Sequence, residues 1–509
     1  MPVSFPSGGI RARTPAGRWV LSATVLGSGM AMLDSTVVNV ALPSIGRSFD
    51  TSLAALQWTV NAYTLTLAGL ILLGGALGDR YGRRRVFVIG VAWFAVASLL
   101  CGIAPNVQTL IAARALQGIG GALLTPGSLA IIQATFHPDD RARAVGTWSG
   151  LGGVASAIGP FLGGWLVDAV SWRWVFLINL PLAAVTIVVA LRTVPETFDP
   201  QPRGRFDVNG AALAALSLAG VTWALVEAQT SPGPAVIAGA AGVAAGVAFV
   251  FVEKRTREPM LPLDIFRVRL FTSVNIVTLF VYGALGAFMF LLVLELQIVS
   301  GYSAQEAGLA LLPVTMVMLL LSARSGDLAR RIGPRPQLTV GPLVCAGGLL
   351  MLLRVGSHAH YATDVLPGVL IFGLGLAVLV APLTATVLAS VDVTRAGIAS
   401  GVNNAAARAA GLLTVAGLPA LVGLSGDGYR DPGVVDTGFD RTLWICAGLL
   451  VAGSAVAWFT ISAKVLTPSE TGAECTRPCV RMGCDVAGPP LDPGHEGAGA
   501  EGRAGAGGS

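Results

Sequence analysis

Gly75-Ala76-Leu77-Gly78-Asp79-Arg80-Tyr81-Gly82-Arg83-Arg84-Arg85 lies between two apolar runs as a short, basic, glycine-containing loop. A second version follows 251 positions later, as Gly326-Asp327-Leu328-Ala329-Arg330-Arg331-Ile332-Gly333-Pro334-Arg335. Gly75 and Gly326, Leu77 and Leu328, Arg80 and Arg331, Gly82 and Gly333, and Arg84 and Arg335 align without a gap. A loop repeated at that distance in an apolar chain predicts two related halves. That is the plan of secondary transporters, whose halves rock about a central site.

Composition agrees. The 509 residues are 54% hydrophobic and 12% charged, against about 25% charged in an ordinary soluble domain. Mean hydropathy is +0.72. The formal charge of +5 does not point to nucleic acid, because the basic residues sit in short loops between apolar runs, where they set membrane orientation. Of 33 basic residues only Lys254 and Lys464 are Lys. Neither stands in a phosphate-binding G-x-x-x-x-G-K-[ST] motif, so no ATPase of that type is expected. Cys101, Cys345 and Cys446 read as packing residues. Cys475, Cys479 and Cys484 lie in the polar tail without a fourth ligand at finger spacing, so neither a metal nor another cofactor is expected.

A spanning helix needs about 20 apolar residues. Fourteen such runs are read at about 19–42, 56–77, 86–104, 107–132, 144–168, 173–191, 210–229, 234–252, 270–295, 306–324, 337–355, 363–389, 401–423 and 441–463. The first contains Asp34 and lacks a cleavage pattern, so it reads as a retained span rather than a signal peptide. With both termini in the cytoplasm, 26 basic residues fall inside, five outside (Arg47, Arg173, Arg354, Arg430, Arg441), and Arg114 and Arg408 fall within spans. That asymmetry sets the orientation. The expected fold is an all-α membrane protein with 14 transmembrane helices. It has a cytoplasmic tail over 1–18, a six-helix half over 19–191 and inserted helices 7–8 over 192–255. A second six-helix half covers 256–464, and a disordered cytoplasmic tail covers 465–509.

Asp34 lies nine residues before Pro43, about 13 Å below the outer end. A carboxylate there is costly unless paired, hydrated or protonated, so it reads as a reversible proton carrier or as a structural helix-pairing residue. Arg114 enters span 4 to a similar depth, roughly 9 Å. It needs acceptors, which makes it either a coupling partner of the first span or a structural residue. Gly159-Pro160-Phe161-Leu162-Gly163-Gly164 in span 5 combines close-packing glycines with a helix-bending proline. Gly75, Asp79, Arg80, Gly82, Arg83 and Arg84 read as a conformational latch on the inner face, or as a positive-inside anchor alone. In the second copy Arg330 stands where Asp79 does in the first. Glu295 and Glu227 read as outer helix ends, either solvated or meeting a cationic substrate or proton. Arg408 sits about 11 Å into span 13, snorkelling to the interface or facing substrate. His358 and His360 read as solvated.

Together these patterns resemble the fourteen-span drug:proton antiporter branch of the major facilitator superfamily, in the style of antibiotic-resistance exporters of the methylenomycin A resistance type. The matching stretches are Asp34-Ser35-Thr36-Val37-Val38-Asn39-Val40-Ala41-Leu42-Pro43, Gly75 to Arg84, Arg114 to Gly120, Gly159 to Gly164, and Trp172 to Pro181. The family's usual further glycine is Ala155 here. The resemblance covers about residues 15–465. It implies proton-coupled export of small organic compounds across the plasma membrane by a single chain, with Asp34 and Arg114 in proton coupling and the span-5 motif marking an antiporter. It does not name the substrate. A metabolite or lipid transporter with other coupling, and a non-transporting sensor or scaffold, are the competing readings. An enzyme is disfavoured, since no nucleophile–base pair or metal cluster stands out.

Overall fold

The computed structural model describes residues 9–198, 207–256, 259–392 and 395–462. The expected tail over 465–509, with its three Cys, lies outside them. Among the described residues the regular structure is helical, and Ile10 and Phe136 form one isolated β-bridge. The helices are α1 Pro15–Phe49, α2 Leu53–Tyr81, α3 Arg83–Gly102, α4 Val107–Thr135, α5 Pro138–Ala169, α6 Trp174–Leu177 and α7 Asn179–Thr193. They continue as α8 Val208–Val226, α9 Pro232–Arg255, α10 Arg269–Leu294, α11 Ala304–Ala310, α12 Leu312–Ile332, α13 Pro334–Met351, α14 Leu366–Ala389, α15 Ala396–Leu421 and α16 Pro432–Thr460.

Thirteen helical stretches among the described residues are long and apolar enough to cross a bilayer. The stretch read from sequence as span 13 is α15, and it is not among the thirteen. Asn403, Asn404 and Arg408 lower its hydropathy. Three expected boundaries need correction. α1 does not stop at Pro43 but runs through it to Phe49, because an internal proline removes one backbone donor without obliging the helix to end. Asp34 therefore lies 15 residues from the helix end, about 22 Å rather than 13 Å. α16 starts at Pro432, capped by the Asp431 carboxylate, which accepts from the Gly433 N–H at 2.8 Å. From the sequence that span is read as starting at about 441.

The third correction concerns the basic loop itself. Asp79 and Arg80 belong to the last turn of α2, and Arg83 opens α3, so only Gly82 lies between the helices. Its φ is +107°, and Gly333, between α12 and α13, has φ +83°. Both take a backbone conformation that disfavours side chains, so the repeat seen in sequence is also a repeat of backbone geometry. About two turns into the next helix, Gly90 and Gly341 extend it. A Cβ on Gly90 would meet Leu123 and Leu124 of α4, and one on Gly341 would meet Leu379 of α14.

The seven N-terminal helices pack as α2 on α4, α3 on α4, and α1 on both α5 and α7; α10 and α12 to α16 pack chiefly among themselves, while α11 packs on α5. The pair α8–α9 lies at the side. α9 packs on α8, and α8 rests on α2 and α15. Side chains such as Val236 and Ile237 on α9 are 72% exposed, as expected of a helix facing lipid.

Ties between the two sets gather at the end that carries Asp50. Gln57 of α2 donates to the carbonyls of Val415 (2.6 Å) and Ala416 (3.0 Å) on α15. The Leu53 N–H donates to the Gly426 carbonyl at 3.1 Å, and Tyr429 to that of Thr51 at 2.8 Å. Arg430 pairs with Asp50 at 2.7 Å, and Gln297 donates to the Val40 carbonyl at 2.9 Å. Toward the Gly82 end, a Cβ on Gly146, Gly150 or Gly153 of α5, or on Gly397 of α15, would stand in open space. The N-terminal segment lies at this end too: the His137 N–H donates to the Ile10 carbonyl at 3.0 Å, and Arg11 pairs with Asp139 at 3.1 Å.

Candidate functional site around Asp34 and Arg114

Asp34 and Arg114, 80 residues apart in sequence, form a direct ion pair. Arg114 Nη1 donates to Asp34 Oδ2 at 2.5 Å, and the side chains are 1% and 0% exposed respectively. A buried pair is retained only when its remaining hydrogen-bonding capacity is satisfied, and here it largely is. Asp34 Oδ1 accepts from Gln117 Nε2 at 2.8 Å and from Asn179 Nδ2 at 3.1 Å. Arg114 also donates through Nε to the Thr59 carbonyl at 3.0 Å and through Nη1 to Gln117 Oε1 at 2.7 Å. Its guanidinium lies 4.4 Å from the Tyr63 ring centroid and 5.7 Å from that of Phe176, within range for cation–π attraction. Ser98 closes the network, accepting from Gln117 at 3.2 Å and Asn179 at 3.0 Å while donating to the Phe176 carbonyl at 2.9 Å.

Local sequence explains the convergence. Gln117 follows Arg114 by three positions, so α4 presents both on one face. Asn179 opens α7 where the chain bends after α6. Thr59 and Tyr63 are one turn apart on α2. The site thus joins α1, α2, α3, α4 and α7. If Asp34 took up a proton, Arg114 would lose its counter-charge yet keep the Thr59 carbonyl, Gln117 and the Tyr63 face. The guanidinium therefore has hydrogen-bond and ring partners on α2 and α4 besides the carboxylate.

The span-5 motif buttresses this site. A Cβ on Gly159 would clash with Thr36 of α1, and one on Gly163 would crowd Val37. A Cβ on Gly164 would meet Gln305 Cα at 2.5 Å, and Gly308 of α11 sits against the Pro160 backbone. α5 is therefore in close contact with α1 beside Asp34 and with α11 on its other side. Ala155 is accommodated because its partner is Gly29: the two Cβ positions would be 3.4 Å apart.

At the Gly82 turn, Arg83 pairs with Asp79 at 2.8 Å within its own helix junction. Arg84 reaches the segment after α7, donating to the Val194 carbonyl at 3.1 Å and facing Glu196 at 3.5 Å. The Arg84 N–H donates to Glu196 at 3.0 Å, and the Arg83 N–H to the Thr197 carbonyl at 3.0 Å. A Cβ on Gly82 would stand 2.6 Å from the Glu196 carboxylate. Arg80 lies 5.9 Å from the Tyr81 ring. In the second copy Arg330 pairs with Asp327, and Arg335 stacks 4.2 Å from the Trp458 ring.

Other expectations change. Glu295 is not at a solvated end; it is fully buried. Glu227 does cap a helix end, accepting from Thr230 at 2.6 Å, away from the network. Arg408 is half-buried. Its charge acts on Tyr63 and Tyr282, and its Nε is buried without a hydrogen-bond partner. Sequence reasoning missed Asn179, Gln117, Ser98, Tyr63 and Glu196 as site residues. Asn179 and Gln117 lay inside stretches already quoted, and an amide in an apolar run was the available signal. Cys101 is a packing residue that also lies 3.6 Å from Gln117 Oε1.

Comparison with known proteins gives the family of the chain. The Major Facilitator Superfamily model matches residues 24–415. The chain is 37% identical over 390 residues to multidrug resistance protein Stp of Mycobacterium tuberculosis, covering 76% of this chain and 72% of that one. It is 33% identical over 495 residues to puromycin resistance protein pur8 of Streptomyces alboniger, covering 94% and 97%. It is 35% identical over 422 residues to the tetracenomycin C resistance and export protein of Streptomyces glaucescens, covering 82% and 77%. Among solved structures, the inward open conformation of the xylose transporter XylE from E. coli superposes with a TM-score of 0.60 at 15% identity, covering 88% and 96%. The peptide transporter POT in complex with sulfate gives 0.64 at 15%, covering 88% and 96%. This chain therefore belongs to the Major Facilitator Superfamily, and it is a multi-pass membrane transporter rather than an enzyme.

Proposed function

We propose that this transporter exports small organic compounds, antibiotics or other toxic amphiphiles among them, in exchange for protons taken up at Asp34. The observation that carries the reading is the buried Asp34–Arg114 pair with its alternative partners for the guanidinium. Protonating Asp34 removes the attraction between α1 and α4 and shifts Arg114 toward the Thr59 carbonyl and Tyr63 of α2. Thr59 lies two residues from Gln57, whose amide ties α2 to α15. A proton at Asp34 thus acts on the helix that closes the Asp50 end. The names of the relatives, resistance and export proteins, support small-molecule cargo.

In this reading α15 is the fourteenth span, α1–α7 and α10–α16 form two six-helix halves, and α8–α9 are an inserted pair resting on their seam. Both termini face the cytoplasm of a plasma-membrane protein, so the Asp50 end is outside. The form described here has its outer end closed. The α5 glycines let α1 and α11 slide on α5 as the halves rock. The Gly75–Arg84 turn latches α2 and α3 to the segment after α7 through Arg84 and Glu196. Arg408, with Tyr63 and Tyr282, lines the cargo path between the halves. One chain suffices for the cycle.

The test is proton movement driven by a panel of cationic dyes and antibiotics in proteoliposomes. At least one compound is expected to drive proton flux through the wild type and none through Asp34→Asn. Cargo movement with no accompanying proton flux, or undiminished flux in Asp34→Asn, would overturn the reading.

A further inference from the structure

α10 ends in a single π-helical turn, Glu295–Val299. Such turns redirect side chains and recur at functional positions. Glu295 points from it into the packing between α10 and α16. Its side chain is fully buried, and neither carboxyl oxygen has a hydrogen-bond partner among the described residues. What faces it is acidic. α16 packs against this turn, and Asp436 and Asp440, one turn apart on it, are the charged groups that act on Glu295. Asp440 Oδ1 is itself buried without a donor.

Other charged side chains at this end are hydrogen-bonded to the backbone or exposed. Arg441, next along α16, donates to the Val422 carbonyl at 3.1 Å. Glu306 of α11 accepts from the Ser303 N–H at 2.8 Å, and Asp364 from the His360 N–H at 2.8 Å. Arg354, after α13, is exposed. Two ionised carboxylates cannot face each other in an apolar site without a cation. A carboxyl group accepts only, unless it carries a proton to donate. The juxtaposition of Glu295 with Asp436 is stable when the two share one proton.

The place of this cluster gives it a consequence. Gln297, on the same turn, makes the hydrogen bond to the Val40 carbonyl that ties α10 to α1 at the Asp50 end. Ser300, just beyond, donates to the Gly356 carbonyl at 2.9 Å. We propose that Glu295, Asp436 and Asp440 form a second proton-binding site, which holds a shared proton while the Asp50 end is closed and loosens the α10 turn and its tie to α1 when that proton leaves. The site is distinct from Asp34. Its link to the transport cycle rests on the alternating-access reading above; the proton itself does not.

The experiment is infrared spectroscopy of the purified full chain in lipid nanodiscs, with no cargo present. It follows the carbonyl stretch of protonated carboxyl groups at neutral pH. The band is expected in the wild type and in Asp34→Asn, and is expected to be lost in Glu295→Gln and shifted in Asp436→Asn. An unchanged band in Glu295→Gln would overturn the proposal. Thermal unfolding against pH gives a second readout. A proton bound by the folded form and released on unfolding makes stability fall as pH rises. The wild-type midpoint should therefore drop from neutral to alkaline pH, and that of Glu295→Gln should stay flatter. Parallel curves would contradict the shared proton. Asp440→Asn offers a gentler variant with the same expected direction. Because neither readout needs transport, failure here is distinguishable from failure of proton-coupled export.

Discussion

Asp34 and Glu295 are both fully buried acids, yet their surroundings are opposites. Asp34 accepts hydrogen bonds from a guanidinium and two amides, and Glu295 faces two further carboxyl groups with no donor of its own. The first environment supplies hydrogen-bond donors to its acid and the second supplies none among the described residues. Burial alone therefore does not say what an intramembrane acid does. The sign of the charge it faces decides whether folding favours the ionised or the protonated form.

The largest predicted effect breaks the comparison at Asp34. Asp34→Ala leaves Arg114 buried without its counter-ion, which costs about 3–5 kcal/mol; the unfolding midpoint in detergent should fall steeply. Glu295→Gln should do the reverse, raising the midpoint at alkaline pH, since a neutral amide replaces an acid that must otherwise keep a proton. A fall of similar size in both variants would remove the distinction. Gly159→Val should crowd Thr36 on α1 and cost about 1–3 kcal/mol of overpacking. It should disturb transport through the Asp34 side while leaving the Glu295 infrared band in place. Gln297→Ala should act on the other side alone. It removes one hydrogen bond, about 1 kcal/mol, and cross-linking of cysteines placed at 51 and 430 should report a looser Asp50 end.

The smallest effect is a reference outside the membrane. The hydrogen bond from Arg395 holds the Asp264 carboxyl below its ordinary range. A lowered acid contributes stability above its usual value and loses it as pH falls. Asp264→Asn should therefore remove a slight acid-side dependence of the midpoint and leave the alkaline side, governed by Glu295, unchanged.

Much of this was legible in the chain. The repeated basic turn predicted the symmetry that Gly82 and Gly333 display, because a positive φ leaves glycine at fixed positions. Asp34 and Arg114 were legible because charges are scarce in apolar runs and need each other. Asn179, Gln117 and Ser98 were harder to see. Neutral polar residues carry no such cost signal, and three helices remote in sequence must fold before they meet. The acidic cluster was hidden by a boundary error. With span 14 placed at 441–463, Asp436 and Asp440 read as loop residues, whereas α16 begins at Pro432 and carries both, half-buried, on a helix packed against the Glu295 turn. Pro432 at the start of the helix and Asp431 as its cap were the available signals.

The most direct measurement is cargo accumulation driven by an imposed pH gradient in proteoliposomes, set beside cargo exchange with no gradient, for the wild type and Asp34→Asn. The account predicts that Asp34→Asn still exchanges cargo, because the helices and their packing remain, but no longer accumulates it against the gradient. Accumulation at the wild-type level in Asp34→Asn would contradict the assignment of proton coupling to the Asp34–Arg114 network.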